Sequence, residues 1–118
     1  MKYYELELNG RTVKFRLTSG DCMAIEKSSG KAITSFMGDL SMSNIITLLR
    51  YMVRSSQSNF NQEDASALFD ELVDAGYTLE TIINDIIMEA LTISGFMSKA
   101  DLNKIRDVKE EIKEKASK

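Results

Sequence analysis

Histidine and proline are absent from this sequence of 118 residues, and cysteine occurs once, as Cys22. Histidine is the usual general base near neutral pH, so its absence removes the commonest acid–base catalyst. Cys22 has neither a second cysteine for a disulfide nor a histidine for a zinc site, and we expect it to be a small buried hydrophobic residue. The sequence also lacks a glycine-rich phosphate loop, a nucleophile elbow and a calcium-binding loop. These absences indicate a protein that is not an enzyme and has no catalytic residue, cofactor or metal site.

Long apolar runs are missing as well. No segment approaches the roughly 18 apolar residues of a membrane span, and the N-terminal MKYYELEL lacks the apolar core of a secretory signal. The hydrophobic fraction of 43% is ordinary for a globular protein, and the length suits one hydrophobic core. No proline-rich linker or internal repeat divides the chain. We therefore expect a cytoplasmic protein with one domain over residues 1–97 and a charged helix or tail over residues 98–118.

The stretch YYELELNGRTVKFRL, residues 3–17, predicts a β-hairpin. Asn9 and Gly10 suit the positive φ angles of a two-residue turn, and apolar residues alternate with polar ones on both sides of it. Two strands alone are marginal in water, so helices are expected to cover the apolar face, and the open strand edges are either protected or used by another chain. The apolar face is predicted to consist of Tyr4, Leu6, Val13 and Phe15. The outer face is predicted to pair Glu5 with Lys14, Glu7 with Thr12 and Tyr3 with Arg16.

Residues 19–97 have the spacing of apolar residues that is typical of helices. The fold class that we expect is mainly α, with the N-terminal β-hairpin packed on a bundle of about four to five helices and with a charged C-terminal helix. Polar residues with short side chains mark the helix starts. The predicted caps or first residues of the main helices are Ser19, Ser41 or Ser43, Asn61 and Thr78.

The predicted helix that follows Thr78 has a wide apolar face. It is either the central helix of the core, or part of its surface meets another subunit. Both alternatives are compatible with the sequence. Its apolar residues are Leu79, Ile82, Ile83, Ile86, Ile87, Ala90, Leu91 and Ile93. The helix before it has an apolar face predicted to contain Ala65, Leu68, Phe69, Leu72 and Val73.

Charge is divided along the chain. Residues 1–54 have eight basic and five acidic side chains, and residues 55–98 have eight acidic and no basic ones. The two helices of this acidic part resemble a helix-turn-helix in outline. A DNA-reading helix needs basic groups against phosphate, but this one carries Glu80, Asp85 and Glu89, so we do not expect nucleic-acid binding. The acids form a solvated face, or they meet the basic N-terminal part or tail of the next copy in a head-to-tail oligomer.

The segment from residue 98 onwards has a different composition. Residues 99–118 contain seven basic and five acidic side chains. Ser98 and Asp101 resemble a capping box, and the helix predicted after them has only a thin apolar stripe, so it is expected to dock weakly or to fray. The stripe consists of Leu102, Ile105, Val108 and Ile112.

Four stretches in this order resemble one known family. They are ELELNGRTVKF, CMAIEKSSGKAI, LSMSNIITLLRYMV and EDASALFDELVDAGYTLETIINDIIMEALTISGF, and they span roughly residues 4–97. In order and spacing they resemble the tail assembly chaperones of long-tailed bacteriophages, particularly those of phages and prophages of Gram-positive bacteria. The entry into the first helix, from Thr18 to Cys22, departs from the aromatic or Gly-Phe pattern of the family, and the segment after Met97 lies outside the resemblance.

The resemblance implies a function and partners. Such chaperones are made in the host cytoplasm during infection and are absent from the finished virion. They bind the tape measure protein, a very long helical chain with apolar stretches, and keep it soluble until tail tube subunits polymerise around it. In many members a frameshift-extended form recruits the tail tube protein, and members self-associate, including in spirals. The alternative is a small protein-binding adaptor or regulator without tape measure activity.

Candidate contacts for self-association or partner binding lie on two parts of the sequence. The outer face of the hairpin is one, and the wide apolar helix with the residues after it is the other. Methionine side chains after Met1 could add an adaptable surface, although methionine more often fills a core. The candidate residues are Tyr3, Glu5, Lys14, Arg16, Ile83, Ile87 and Met97.

Overall fold

A computed structural model describes residues 2–98 of the chain. The hairpin strands are β1 (Tyr4–Leu8) and β2 (Arg11–Phe15), and the helices are α1 (Ser19–Ser29), α2 (Ile33–Gly38), α3 (Met42–Arg54) and α4 (Gln62–Asp74). Next come α5 (Leu79–Thr81), a π-helical segment (Ile82–Ile87) and α6 (Met88–Ile93). These last three run on without a break and together form the long helix. The expected mainly α fold with an N-terminal hairpin is confirmed, and the predicted charged C-terminal helix lies outside the described residues.

The hairpin has the predicted register. Tyr4 pairs with Phe15 and Leu6 with Val13 on the apolar face, and the charged residues pair on the outer face. The turn takes positive φ angles of 50° at Asn9 and 81° at Gly10, as the Asn-Gly sequence requires. The ladder ends at the pair Tyr4 and Phe15, so the predicted pairing of Tyr3 with Arg16 is not part of it.

Helices cover the apolar face of the hairpin. Val13 and Phe15 are buried, and they join one core to which α3 contributes most. The N–H of Arg16 donates to the carbonyl of Met52 at 3.0 Å, which joins the end of β2 to the end of α3. The buried residues of α3 are Ile45, Ile46, Leu48, Leu49, Tyr51, Met52 and Val53. The hairpin therefore closes one side of a helical core.

The long helix lies beside β1, whereas α3 lies beside β2. The N–H of Leu17 donates to the hydroxyl of Ser94 at 2.9 Å. Burial, followed by the nearby Tyr77, Glu89 and Asp85, raises the pKa of Tyr4 in β1. These contacts place the first strand beside the C-terminal half of the long helix.

The long helix is central to the core. Ile82, Ile86 and Ile87 have no exposed surface, and Ala90 and Leu91 are buried with them. In the π-helical segment hydrogen bonds join residues five apart, for example the N–H of Met88 and the carbonyl of Ile83, so residues four and five apart share a face. This wider turn directs both members of the pair Ile86 and Ile87 inward.

Two local predictions are wrong. Thr18, not Ser19, caps α1, because its hydroxyl accepts from the N–H of Asp21 at 3.1 Å while the Asp21 carboxylate accepts from the N–H of Thr18 at 3.0 Å. This reciprocal capping box needs a side-chain acceptor three positions after the cap, and the Asp21 carboxylate supplies it for Thr18. Val73 is 45% exposed, because the buried stripe of α4 runs through Leu68 and Leu72 and Val73 lies about 100° further round the helix. The predicted caps Ser41, Asn61 and Thr78 are confirmed.

Candidate functional site

Three of the candidate contact residues form a cluster on the outer face of the hairpin. The ammonium group of Lys14 lies 4.0 Å from the Glu5 carboxylate and 5.6 Å from the centre of the Tyr3 ring. Arg16, at the end of β2, donates to the carbonyl of Lys2 at 2.8 Å. An ion pair between exposed side chains at this distance stabilises a fold little. The Lys14 and Glu5 side chains therefore remain available for a partner.

The turn of the hairpin is fixed to α4 by a cluster that sequence analysis missed. Both terminal nitrogens of Arg11 donate to the Glu71 carboxylate at 2.6 Å, and the Asn9 amide donates to it at 2.7 Å. These hydrogen bonds, first that of Arg11 and then that of Asn9, lower the pKa of Glu71 to about 2. Two-pronged contacts between arginine and carboxylate define an orientation as well as a distance. The outer face of the hairpin is thus held in one orientation relative to α4.

A signal for this cluster was present in the sequence. Arg11 pairs with Leu8, on the otherwise apolar face of the hairpin. A basic residue at the open end of an apolar face can reach an acidic residue on the helix that covers the face. The sequence alone did not identify Glu71 as that acceptor, since it lies 60 residues away.

An apolar groove of about 250 Å³ lies where α2, α3 and the long helix meet. Methionines from three parts of the chain line it, and Phe96, which is 42% exposed, stands at its wall. The three methionines are each half-buried, so part of every side chain faces the open space. The side chains that define this methionine groove are Met37, Leu40, Met88, Leu91, Phe96 and Met97.

The size and chemistry of the methionine groove determine what it can hold. Small-molecule sites usually enclose about 300–1,000 Å³. At about 250 Å³ the groove has room for one or two apolar side chains. Methionine side chains are flexible and polarisable, which lets them adapt to differently shaped partners. Such a groove can accept apolar side chains from one face of a helix.

The candidate residues of the long helix have different positions. Met97 lines the methionine groove. Ile87 lines the inner side of the groove and has no exposed surface in the single chain, so it is a core residue there, and its role as a contact residue stays a prediction. The π-helical turn is the physical reason for this burial, because it directs Ile87 inward. Ile83 is half-buried and packs against the core outside the groove.

A second cleft, of about 630 Å³, lies beside the Arg11 and Glu71 pair and under the loop between α3 and α4. The loop contributes hydroxyl and amide groups, from residues 56–59. Its charged groups are already used, since Arg11 and Glu71 pair and the Asp64 carboxylate accepts from the N–H of Asn61. The cleft is polar and wide, and its charged side chains serve the fold.

Metal-binding sites and reactive thiols are the other kinds of site that residues 2–98 could contain. In this range no three histidine, cysteine, aspartate or glutamate side chains are grouped closely enough to hold a metal ion. Cys22 is buried, as expected, and burial, followed by the charges of Asp21 and Glu26, raises the pKa of its thiol. A raised pKa leaves little of the reactive thiolate at neutral pH. Among the helices of the described part, none has both the length and the apolar character to cross a membrane.

Comparison of the chain with protein-family models, with curated proteins and with solved structures gives no match. Among the described residues, the charged outer face of the hairpin and the methionine groove are surfaces on which a partner could bind.

Proposed function

We propose that the protein is a bacteriophage tail assembly chaperone, which binds the tape measure protein without enzymatic activity and keeps it soluble until tail tube subunits polymerise around it. The observation that supports this proposal is the methionine groove, an adaptable apolar surface in a chain that also resembles this family over roughly residues 4–97. The proposal places the protein in the cytoplasm of a bacterial host and outside the mature virion. A frameshift-extended form would recruit the tail tube protein.

The size of the groove supports weak binding by each copy. Full burial of an apolar side chain contributes about 1.5–3 kcal/mol, so two anchors contribute about 3–6 kcal/mol. Association costs about 4–15 kcal/mol in lost freedom of motion. A single groove of about 250 Å³ therefore binds weakly, and retention of a long partner requires many copies acting together. Weak individual contacts also allow the growing tube to displace the chaperone.

Self-association would supply the many copies. The outer face of the hairpin presents Tyr3, Glu5 and Lys14 together, and residues 55–98 present acidic side chains without a single basic one. Unlike surfaces on one molecule meet head to tail. Under this proposal, light scattering detects oligomers at low salt, and added salt or Lys14→Glu dissociates them. A monomer at every concentration in low salt contradicts the head-to-tail contact.

Co-expression with the long helical protein encoded downstream tests the proposed function. We expect the native chain to keep this partner soluble and to be captured with it in many copies. Met88→Glu places a charge in the methionine groove and is expected to abolish rescue. Met23→Glu is the matched control, because Met23 is 67% exposed on α1 and lies outside the groove. Circular dichroism of both variants establishes that the fold is retained.

The results of the co-expression distinguish a tail assembly chaperone from an adaptor that binds one partner. Many bound copies, lost in Met88→Glu and kept in Met23→Glu, support the chaperone. One copy per partner, with the partner soluble on its own, supports a single-partner adaptor. A partner that stays insoluble beside the native chain contradicts the tape measure function. Should Met88→Glu fail to fold, Phe96→Ser makes the same test at a more exposed position of the groove wall.

A further inference from the structure

We propose that two arginines of α3 bind two aspartates on α4 of a second copy of this chain. The arginine pair is Arg50 and Arg54, and the aspartate pair is Asp70 and Asp74. The inference rests on the self-association of the proposed function, and it names the side chains on both sides of one contact. Because the two pairs belong to different helices, the contact joins unlike surfaces and is head to tail.

The arginine pair is held at the surface of α3 by a tyrosine. The guanidinium carbons of Arg50 and Arg54 lie 5.2 Å and 4.5 Å from the centre of the buried Tyr51 ring. Cation–π attraction to the ring favours these positions. Among residues 2–98 the Arg50 guanidinium has no acceptor, and its Nε is buried without a hydrogen bond. A guanidinium that its own fold leaves without an acceptor is available to a carboxylate from outside.

Arg54 is only partly neutralised within its own chain. One of its terminal nitrogens lies 3.4 Å from the Asp21 carboxylate, which is long for a hydrogen bond between charged groups. The same carboxylate also accepts from the N–H and the hydroxyl of Thr18 at the start of α1. The Arg54 side chain stays 35% exposed, so a second carboxylate can approach it from the solvent.

The aspartate pair lies on the solvent side of α4. Asp70 and Asp74 are exposed, and neither carboxylate forms an ion pair with any residue that the structure describes. Asp74 ends α4, and no basic side chain in the last turn offsets the negative end of the helix dipole. Val73, which lies beside them, is 45% exposed. A basic partner surface would relieve the unfavourable charge at this helix end and cover Val73.

The two pairs have the same spacing. The members of each pair are four residues apart in a single helix, which separates them by about 6 Å along the helix axis. Side chains four residues apart lie on the same face of a helix. When α3 of one copy lies beside α4 of the next, both ion pairs can therefore form at once.

The two pairs lie towards opposite ends of the hairpin. At the end of β2, the N–H of Arg16 donates to the carbonyl of Met52, which lies between the two arginines in α3. At the turn, Arg11 binds Glu71, the neighbour of Asp70 in α4. The length of β2 separates these two attachment points by about 17 Å. No ion pair joins the arginines to the aspartates within residues 2–98, so their pairing requires two copies, and repetition of this contact builds a ring or an open filament.

Charge reversal on each side of the contact, followed by light scattering of the full chain at low salt, tests the inference. The arginine variant combines Arg50→Glu with Arg54→Glu, and the aspartate variant combines Asp70→Lys with Asp74→Lys. Each variant alone is expected to fall from the mass of the native oligomer to that of a single chain, because like charges then face each other. An equal mixture of the two variants is expected to recover the native mass, because every altered surface again meets an unlike one.

A second pair of basic residues supplies the matched control. Lys27→Glu with Lys31→Glu reverses two exposed charges that are also four positions apart, but away from α3. This control is expected to keep the native mass. Circular dichroism establishes that each variant is folded. Should the arginine variant fail to fold because Asp21 loses its partner, Arg50→Glu alone makes the same test, since Arg50 has no acceptor among the described residues.

Three results would overturn this contact. If the folded arginine variant keeps the native mass, the arginine pair does not join the copies. If the arginine variant dissociates and the aspartate variant does not, the arginines bind another acidic group. If both variants are monomers and their mixture stays monomeric, the two pairs do not face each other.

The same measurements separate this inference from the proposed function. A native chain that is a monomer at every concentration contradicts self-association as a whole, and with it this contact. A native oligomer that survives both charge reversals overturns this contact alone. None of these measurements includes the tape measure protein, so binding of that partner is decided by the co-expression experiment.

Discussion

Replacing Ile87 with alanine is expected to destabilise the fold strongly, because Ile87 has no exposed surface and packs in the core beneath the methionine groove. Truncation of a buried isoleucine to alanine costs about 2–5 kcal/mol, and truncation to valine about 0.5–1.5 kcal/mol. The fold of a domain this size is stable by about 5–15 kcal/mol in total. Ile87→Ala therefore removes a large share of the free energy of unfolding, and Ile87→Val removes a smaller share.

Urea unfolding followed by circular dichroism measures both changes. With a denaturant slope of about 2 kcal/mol per molar urea, a loss of about 2–5 kcal/mol moves the midpoint by roughly 1–2.5 M. Met23→Ala is the control, because Met23 is 67% exposed and surface substitutions usually stay within about 0.5 kcal/mol.

Specific results would refute the position of Ile87 in the core. If Ile87→Ala unfolds at the same urea concentration as the native chain, Ile87 is not a core residue. If in addition Ile87→Ala loses self-association that the native chain has, the prediction of Ile87 as a subunit contact is supported. Equal losses in Ile87→Val and Ile87→Ala would also contradict the reasoning, because the expected loss grows with the number of buried carbon atoms removed.

Three further changes test other parts of the structure. Glu71→Gln is expected to flatten the fall in stability between pH 4.5 and about 2. The lowered pKa of Glu71 adds stability that is present above pH 4.5 and lost as pH falls through about 2. Urea unfolding at several pH values measures this fall, and an unchanged profile contradicts the Arg11 contact. Gly10→Ala is expected to lower the free energy of unfolding by about 1–2 kcal/mol, because the φ angle of 81° is unfavourable for alanine although space is free around it. Thermal unfolding measures this change, with Gly20→Ala, in a helix, as the control. Equal unfolding midpoints for the native chain and Gly10→Ala contradict the turn. Cys22 is expected to react slowly with iodoacetamide at pH 8 and rapidly in urea, because burial raises the pKa of its thiol. Rapid reaction of the folded chain contradicts the burial of Cys22.

Local patterns in the sequence predicted local structure well. The register of the hairpin follows from the two-residue turn and the alternation of apolar residues, and the ladder has the predicted pairs. Asn61 and Thr78 cap their helices as predicted, since each has a side-chain oxygen that accepts from a backbone N–H three residues on. Thr18 was missed, although the same rule applies to it, because Ser19 offered a competing hydroxyl one position later.

Features that depend on several segments could not be predicted in this way. The bond between Arg11 and Glu71 joins residues 60 positions apart, and no local period encodes such a distance. The methionine groove needs α2, α3 and the long helix in their final positions, so the sequence named its methionines only as a possible adaptable surface, and Met97 alone of its defining side chains was a candidate contact. The complete burial of Ile87 in the single chain could not be predicted for a different reason. Helical periodicity assumes hydrogen bonds between residues four apart, whereas this segment uses residues five apart.

The single hairpin of this mostly helical chain has two structural roles. The inner face of the hairpin is required by the core, because Phe15 is completely buried. Its turn is held by Glu71 and the end of β2 by Met52, so the outer face with Lys14 is presented in a fixed orientation. The methionine groove is the opposite kind of surface, made of side chains that rearrange easily. A fixed polar face favours one specific partner, and an adaptable apolar groove accepts many related ones. Under the proposed function these two requirements belong together, because copies must recognise one another specifically while each holds a different apolar stretch of one long chain.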